Sequence, residues 1–188
     1  MTLAAGTYTL GPRDGTLMVR TGRTGAVAKA GHDLVIEVTS WHATLDVGDR
    51  TVIALTADAR SLRVRDGSGG VQSLDDDDKA GIDRTIDDEV LRGGGIAFRS
   101  TSVESAGDTM KVQGELELAG NRRPISFELT SDDGRLSGSA TVTQSAWGIK
   151  PYSTLFGTLK VADDVEIVLD CRLPGNDGGT TTGSDDDG

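Results

Sequence analysis

Residues 111–118 read "KVQGELEL", and the alternation in them is complete. Val112, Gly114, Leu116 and Leu118 share one face of an extended chain, while Lys111, Gln113, Glu115 and Glu117 share the other. Neighbouring strand side chains point to opposite faces, so this octet is a half-buried antiparallel strand. "ISFEL" (125–129) repeats the pattern, with Ile125, Phe127 and Leu129 inward. "VEIVLDC" (165–171) sets Val165, Ile167, Leu169 and Cys171 on one face. "DLVIEVTSW" (33–41) does so with Leu34, Ile36 and Val38, and "TVIALTADARSLRV" (51–64) with Ile53, Leu55 and Ala57. "GTLMVRTG" (15–22), "GIAFRSTSVES" (95–105) and "RLSGSATVTQS" (135–145) bring the predicted strands to about eight.

Turn chemistry separates these runs: Val47-Gly48-Asp49, Ala106-Gly107-Asp108, Gly120-Asn121 and Asp132-Asp133-Gly134. The chain holds 26 glycines in 188 residues, about twice the usual share. Many short strands with few helices between them predict an all-β sandwich or barrel. One segment departs from the pattern. In "DDKAGIDRTIDDEVL" (77–91), Ile82, Ile86 and Val90 recur every four residues, which predicts an amphipathic helix inserted between two strands. Asp77 or Asp78 can cap it, and Gly93-Gly94-Gly95 ends it. The acidic run "LDDDDK" (74–79) lacks the interleaved ligands and glycine of an ion-binding loop and reads as a solvated lead-in to this helix.

A length of 188 residues predicts one domain, placed at 1–173, followed by a disordered Gly/Thr/Asp-rich tail at 174–188. The net charge of −11 speaks against nucleic acid and against anionic membrane surfaces. No apolar run is long enough to span a membrane, and the N-terminus "MTLAAGTYTLGPRDG" lacks the basic region and apolar run of a signal peptide. Cys171 is the single cysteine, so no intramolecular disulfide forms. The expectation is a cytoplasmic protein in a reducing compartment. The oligomeric state stays open, with a dimer as one option.

Residues for catalysis are scarce. His32 and His42, the two histidines, lie roughly 33 Å apart on a continuous strand at about 3.3 Å per residue. His32 and Asp33 are adjacent and face opposite ways, so they form no base–orienter pair within a regular strand. No nucleophile elbow or phosphate-binding glycine loop is present, and no spacing supplies a metal site. No enzyme, no cofactor and no metal are expected. The remaining choice concerns the interior. Gly114, Gly138, Ala140 and Ala54 or Ala57 leave volume among the large inward residues, and an eight-stranded barrel is wide enough to be filled by side chains or to hold one slender ligand.

Four segments in order resemble the YceI-like proteins: "GHDLVIEV", "GIAFRSTSVES", "KVQGELELAGNRRPISFEL" and "WGIKPYSTLFGTLKVADDVEIVLD", covering about residues 6–173. The resemblance implies an eight-stranded antiparallel, lipocalin-like barrel that binds a polyisoprenoid or other lipid chain without catalysis. Many members carry an Arg and an acidic residue before the aromatic-Gly pair, where this chain has Gln144-Ser145-Ala146-Trp147-Gly148. On this reading Phe98, Leu116, Leu118, Phe127, Leu129, Val142 and Ile167 line a cavity. Trp147, Lys150 and Phe156 contribute from the aromatic-rich stretch "TQSAWGIKPYSTLFGTLKV" (143–161), which is either a structural plug or a ligand-contacting lid across one barrel end. The alternative is a filled barrel acting as a protein-interaction or stress-related structural module.

Overall fold

The structure, a computed structural model, describes residues 3–154 and 159–174, without the side chains of Thr154 and Leu159. Leu155 and Phe156 of the aromatic stretch, and all of the predicted tail beyond Pro174, lie outside the described residues. The strands are β1 (Gly6–Leu10), β2 (Gly15–Thr24), β3 (His32–Val38), β4 (Trp41–Val47), β5 (Val52–Ala57) and β6 (Leu62–Gly69). They continue as β7 (Ile96–Ala106), β8 (Thr109–Leu118), β9 (Asn121–Asp132), β10 (Arg135–Thr143), β11 (Ser153–Thr154) and β12 (Leu159–Arg172). All pairings are antiparallel in one curled sheet, in the order β1-β4-β5-β7-β8-β9-β10-β12-β2-β3-β6, with β11 attached to β12.

Among the described residues there are thus twelve strands where eight were expected. Three of the four extra strands come from bends, and the fourth is the two-residue β11. Only Thr39 and Ser40 separate β3 from β4, and a 3-10 turn at Ala59–Ser61 separates β5 from β6. Polar side chains hold this corner. Asp58 accepts from the Arg60 amide at 2.8 Å, and the buried Ser61 hydroxyl donates to the Asp58 carbonyl at 2.7 Å. Backbone bonds cross it from Thr39 N to Ser61 O and from Asp58 N to Ser40 O. β1 and β2 are likewise divided by the Gly11–Asp14 turn, where Asp14 accepts from Gly11 N at 2.8 Å. Alternation of apolar residues continues through such corners, so the pattern alone does not reveal them.

The hairpins from β8 to β10 follow from their loop residues. Leu118 pairs with Asn121 around Ala119-Gly120, and Asp132 pairs with Arg135 around Asp133-Gly134. Both residues of each loop have positive φ (50° and 78°, 46° and 72°). That is the two-residue turn whose twist matches paired strands. The first of these turns lies one residue before the expected Gly120-Asn121.

The predicted helix is α1 (Asp76–Thr85), continued by a π-helical segment at Ile86–Leu91. Its cap is Asp75 rather than Asp77 or Asp78: Asp75 accepts from Asp78 N at 2.8 Å, and Asp78 accepts from Asp75 N at 3.2 Å. Asp76, Asp77 and Asp78 occupy the first turn, where the helix dipole favours negative charge. The acidic run is therefore the start of a helix. β6 pairs with β3 alone, which leaves its other edge for the helix to cover. Asp83 accepts from Val64 N of that edge at 2.8 Å, and Asp87 lies 3.6 Å from Arg60.

Replacing Asp83 tests this anchor. Asp83→Ala leaves the Val64 amide without its partner, and stranding one partly buried donor costs about 1–3 kcal/mol. The expected result is faster hydrogen exchange at Val64 and along residues 76–91, with exchange in β8 and β9 unchanged. Unchanged exchange across 76–91 would show that the apolar face alone holds the helix.

Candidate functional site

The inward residues of the strands do not meet in the middle. They surround a cavity of about 760 Å³. Phe98, Leu116, Leu118, Phe127, Leu129, Val142 and Ile167 all line it. So do Leu34, Ile36 and Val38 of β3, Leu55 and Ala57 of β5, and Val165 and Leu169 of β12. Ile82, Ile86 and Val90 close part of it from the helix side. The two periodicities read from the sequence therefore converge on one space.

The small residues act differently from one another. Ala140 lines the cavity with a small side chain, and Gly138 lines it where a Cβ would meet the Glu128 carbonyl oxygen and lie 2.7 Å from Leu129 Cδ2. Gly114 does not line it. A Cβ there would lie 2.5 Å from two ring atoms of Phe98, so the phenylalanine ring covers the glycine. Phe98 in turn packs on Phe127 with ring centroids 5.2 Å apart and planes tilted by 57°, a favourable aromatic geometry. The ring of Phe98 is part of the wall because residue 114 has no side chain.

Four charged groups and an imidazole gather at one end. Arg23 ends β2, His32 begins β3, Lys160 begins β12, and Asp77 and Asp78 belong to the first turn of α1; all five line the cavity. The register brings them together, since Lys160 pairs with Thr24, Val161 with Arg23, and His32 with Gly69. Arg23 is held in place: Nη1 donates to the carbonyls of Gly31 and Ser68, and Nε lies 3.8 Å from Asp33. His32 Nε2 lies 2.7 Å from the Gln72 carbonyl oxygen. Lys160 makes no ion pair or side-chain hydrogen bond among the described residues, and it is exposed. Leu10, Leu45 and Leu136 line the opposite end, each 2% exposed.

The aromatic stretch divides into parts. β10 ends at Thr143, and residues Gln144–Trp147 form a 3-10 turn closed by Gly148 at φ 74°. Trp147 is 5% exposed but is absent from the cavity lining. Its Nε1 donates to the Leu116 carbonyl at 3.0 Å, and its own carbonyl accepts from Asn121 Nδ2 at 2.8 Å. It stands behind the wall and ties this turn to β8 and β9. Lys150 is exposed and is not a lining residue. Ile149, Tyr152 and Lys160 are; Tyr152 belongs to the aromatic residues expected to cover the interior, whereas Ile149 and Lys160 are not among the expected residues. Ile149 is the single aliphatic residue within "WGIKPY", a signal that was outweighed by its aromatic neighbours.

A family model of the YceI-like domain matches residues 14–173. The chain belongs to the YceI-like family. Among solved structures, it resembles Burkholderia cenocepacia BcnA with a TM-score of 0.56 at 14% identity, over 82% of this chain and 94% of that one. It also resembles the Campylobacter jejuni YCEI protein with a TM-score of 0.51 at 14% identity, over 72% of this chain and 81% of that one. At such identity these likenesses establish the fold alone. No curated protein sequence matches the chain.

Cys171 is 1% exposed and its thiol is pushed up to about 11, first by burial and then by Asp170 and Asp14. It behaves as a small apolar side chain. No helix among the described residues is long and apolar enough to cross a membrane, and no three His, Cys, Asp or Glu side chains among them are grouped to hold a metal ion.

Proposed function

We propose that this YceI-like chain binds one long apolar or amphiphilic molecule, a polyisoprenoid or other lipid, inside an eight-stranded barrel and performs no catalysis. The observation that carries the proposal is the cavity of about 760 Å³ with aliphatic and aromatic walls. An evacuated apolar cavity costs about 24 cal/mol per Å³. For this volume that is on the order of 18 kcal/mol, beyond the 5–15 kcal/mol of net stability a domain possesses. The space is therefore occupied by water or by a ligand, and an apolar ligand releases water from apolar walls. A filled barrel serving only as an interaction module has no use for such a space.

The strand count supports the same reading. Taken as single bent strands, β1–β2, β3–β4 and β5–β6 give eight strands along the main path, with the two-residue β11 set aside as an attachment to β12. The first then pairs with the second along both halves, the second with the third, and the last, β12, with the first. The single, buried Cys171 supports a reducing, cytoplasmic setting.

The test is Leu116→Trp, which adds bulk at a lining position. The parent protein is expected to take up an apolar fluorophore such as N-phenyl-1-naphthylamine with a one-to-one limit. The variant should keep its far-ultraviolet circular dichroism and lose at least tenfold in affinity. In a filled core the same change would instead lower the stability of the chain markedly, since overpacking costs about 1–3 kcal/mol or more. A parent that takes up no probe would sink the proposal.

A further inference from the structure

Resting on that reading, we infer that the cavity admits a single chain of no more than about 25 heavy atoms, tail first, with its head at the Arg23–His32–Lys160 end. Volume sets the first limit. One water occupies about 30 Å³ of liquid, and a methylene is of similar size. A space of about 760 Å³ thus accommodates about 25 such groups. A lipid with two long chains exceeds it, and a longer single chain leaves its excess outside the mouth.

Polarity sets the direction. The charged lining residues Arg23, Lys160, Asp77 and Asp78, together with the His32 imidazole, stand where β2 ends and β3 and β12 begin. The far end offers Leu10, Leu45 and Leu136. Gln144, a polar group in the wall, already donates to the Ala162 carbonyl at 2.9 Å. No buried side-chain nitrogen or oxygen among the described residues is left without a partner. A head group driven to the leucine end would lose its water, meet no charged partner and gain, from β4, only the Thr44 hydroxyl, which is strongly unfavourable. At the other end it keeps both water and charged neighbours, including Lys160.

Linear prenols of 10, 15, 20, 25 and 45 carbons provide the test, titrated against bound N-phenyl-1-naphthylamine. Affinity should tighten at least tenfold with each isoprene unit up to 20 or 25 carbons and then stay level at 45. Icosanedioic acid, polar at both ends, should bind at least a hundredfold more weakly than icosanoic acid. Ala43→Phe, which raises the floor beside Leu10, should move the break toward 15 carbons. A 45-carbon prenol binding tenfold tighter than the 25-carbon one overturns the capacity. Equal binding of the two acids overturns the direction. Absence of binding at every length removes the parent proposal and this inference together, and so is distinct from either result.

Discussion

Trp147→Ala is expected to lower the stability of the domain by about 3–5 kcal/mol, the cost of truncating a buried large aromatic. At this chain length that corresponds to a fall of about 6–20 °C in the thermal midpoint. Trp147 is 5% exposed, and its indole nitrogen is the donor that satisfies the Leu116 carbonyl at 3.0 Å. Removing the side chain opens a void and orphans that carbonyl together. Trp147→Phe separates the two effects: it keeps most of the volume and loses the hydrogen bond, so it should fall between parent and alanine variant. Ligand affinity of the folded fraction should change little in either, because Trp147 is not part of the cavity lining. Lys150→Ala, at an exposed site, serves as the control and should leave the midpoint in place. A neutral Trp147→Ala would mean that Gln144–Trp147 is not what fixes this end of β10.

That outcome also bears on the choice between plug and lid. The first half of the aromatic stretch, through Trp147, supports the barrel from behind. Ile149 and Tyr152 face the interior, with Tyr152 40% exposed at the mouth. The stretch is thus a support that leads into a rim: Gln144 reaches the cavity near its start, and its apolar lining begins after Gly148.

The strand alternation was sufficient to find the cavity wall. Every inward residue chosen from a two-residue period in β3, β8, β9 and β12, from Leu34 to Leu169, faces the common interior apart from Gly114, Val112 and Cys171. Those three are instead packed within the wall or below it. A period reports which face a side chain takes; it does not report how far in the opposing side chain reaches. That is why Gly114 reads as open space and is in fact roofed by Phe98. The bends that break three strands were not legible for a related reason. They depend on Asp58, Ser61 and Asp14 bonding to local backbone, and these are ordinary polar residues in sequence. Lys160 was overlooked because a lysine at a strand start is usually solvated, and its place at the mouth follows only from the pairing of β12 with β2.

Gly114→Val should be a damaging substitution in the wall, and it links packing to binding. A Cβ at residue 114 would sit 2.5 Å from the Arg99 carbonyl oxygen on the neighbouring strand and 2.5 Å from Cε2 and Cζ of Phe98. The ring can rotate away, but the carbonyl belongs to the β7–β8 ladder and moves only with the strand. Overpacking of this kind costs about 1–3 kcal/mol, and loss of the Phe98–Phe127 contact adds about 0.5–1.5 kcal/mol. The displaced ring has one direction with room, which is the cavity. Two readouts should therefore change together: the denaturation midpoint falls, and the longest prenol that binds at full affinity becomes shorter. Adding Phe98→Ala to Gly114→Val removes the ring that has to move. The double variant should regain chain-length capacity while remaining less stable than the parent. Capacity that stays short in the double variant would show that the strand, and not the ring, had moved into the cavity.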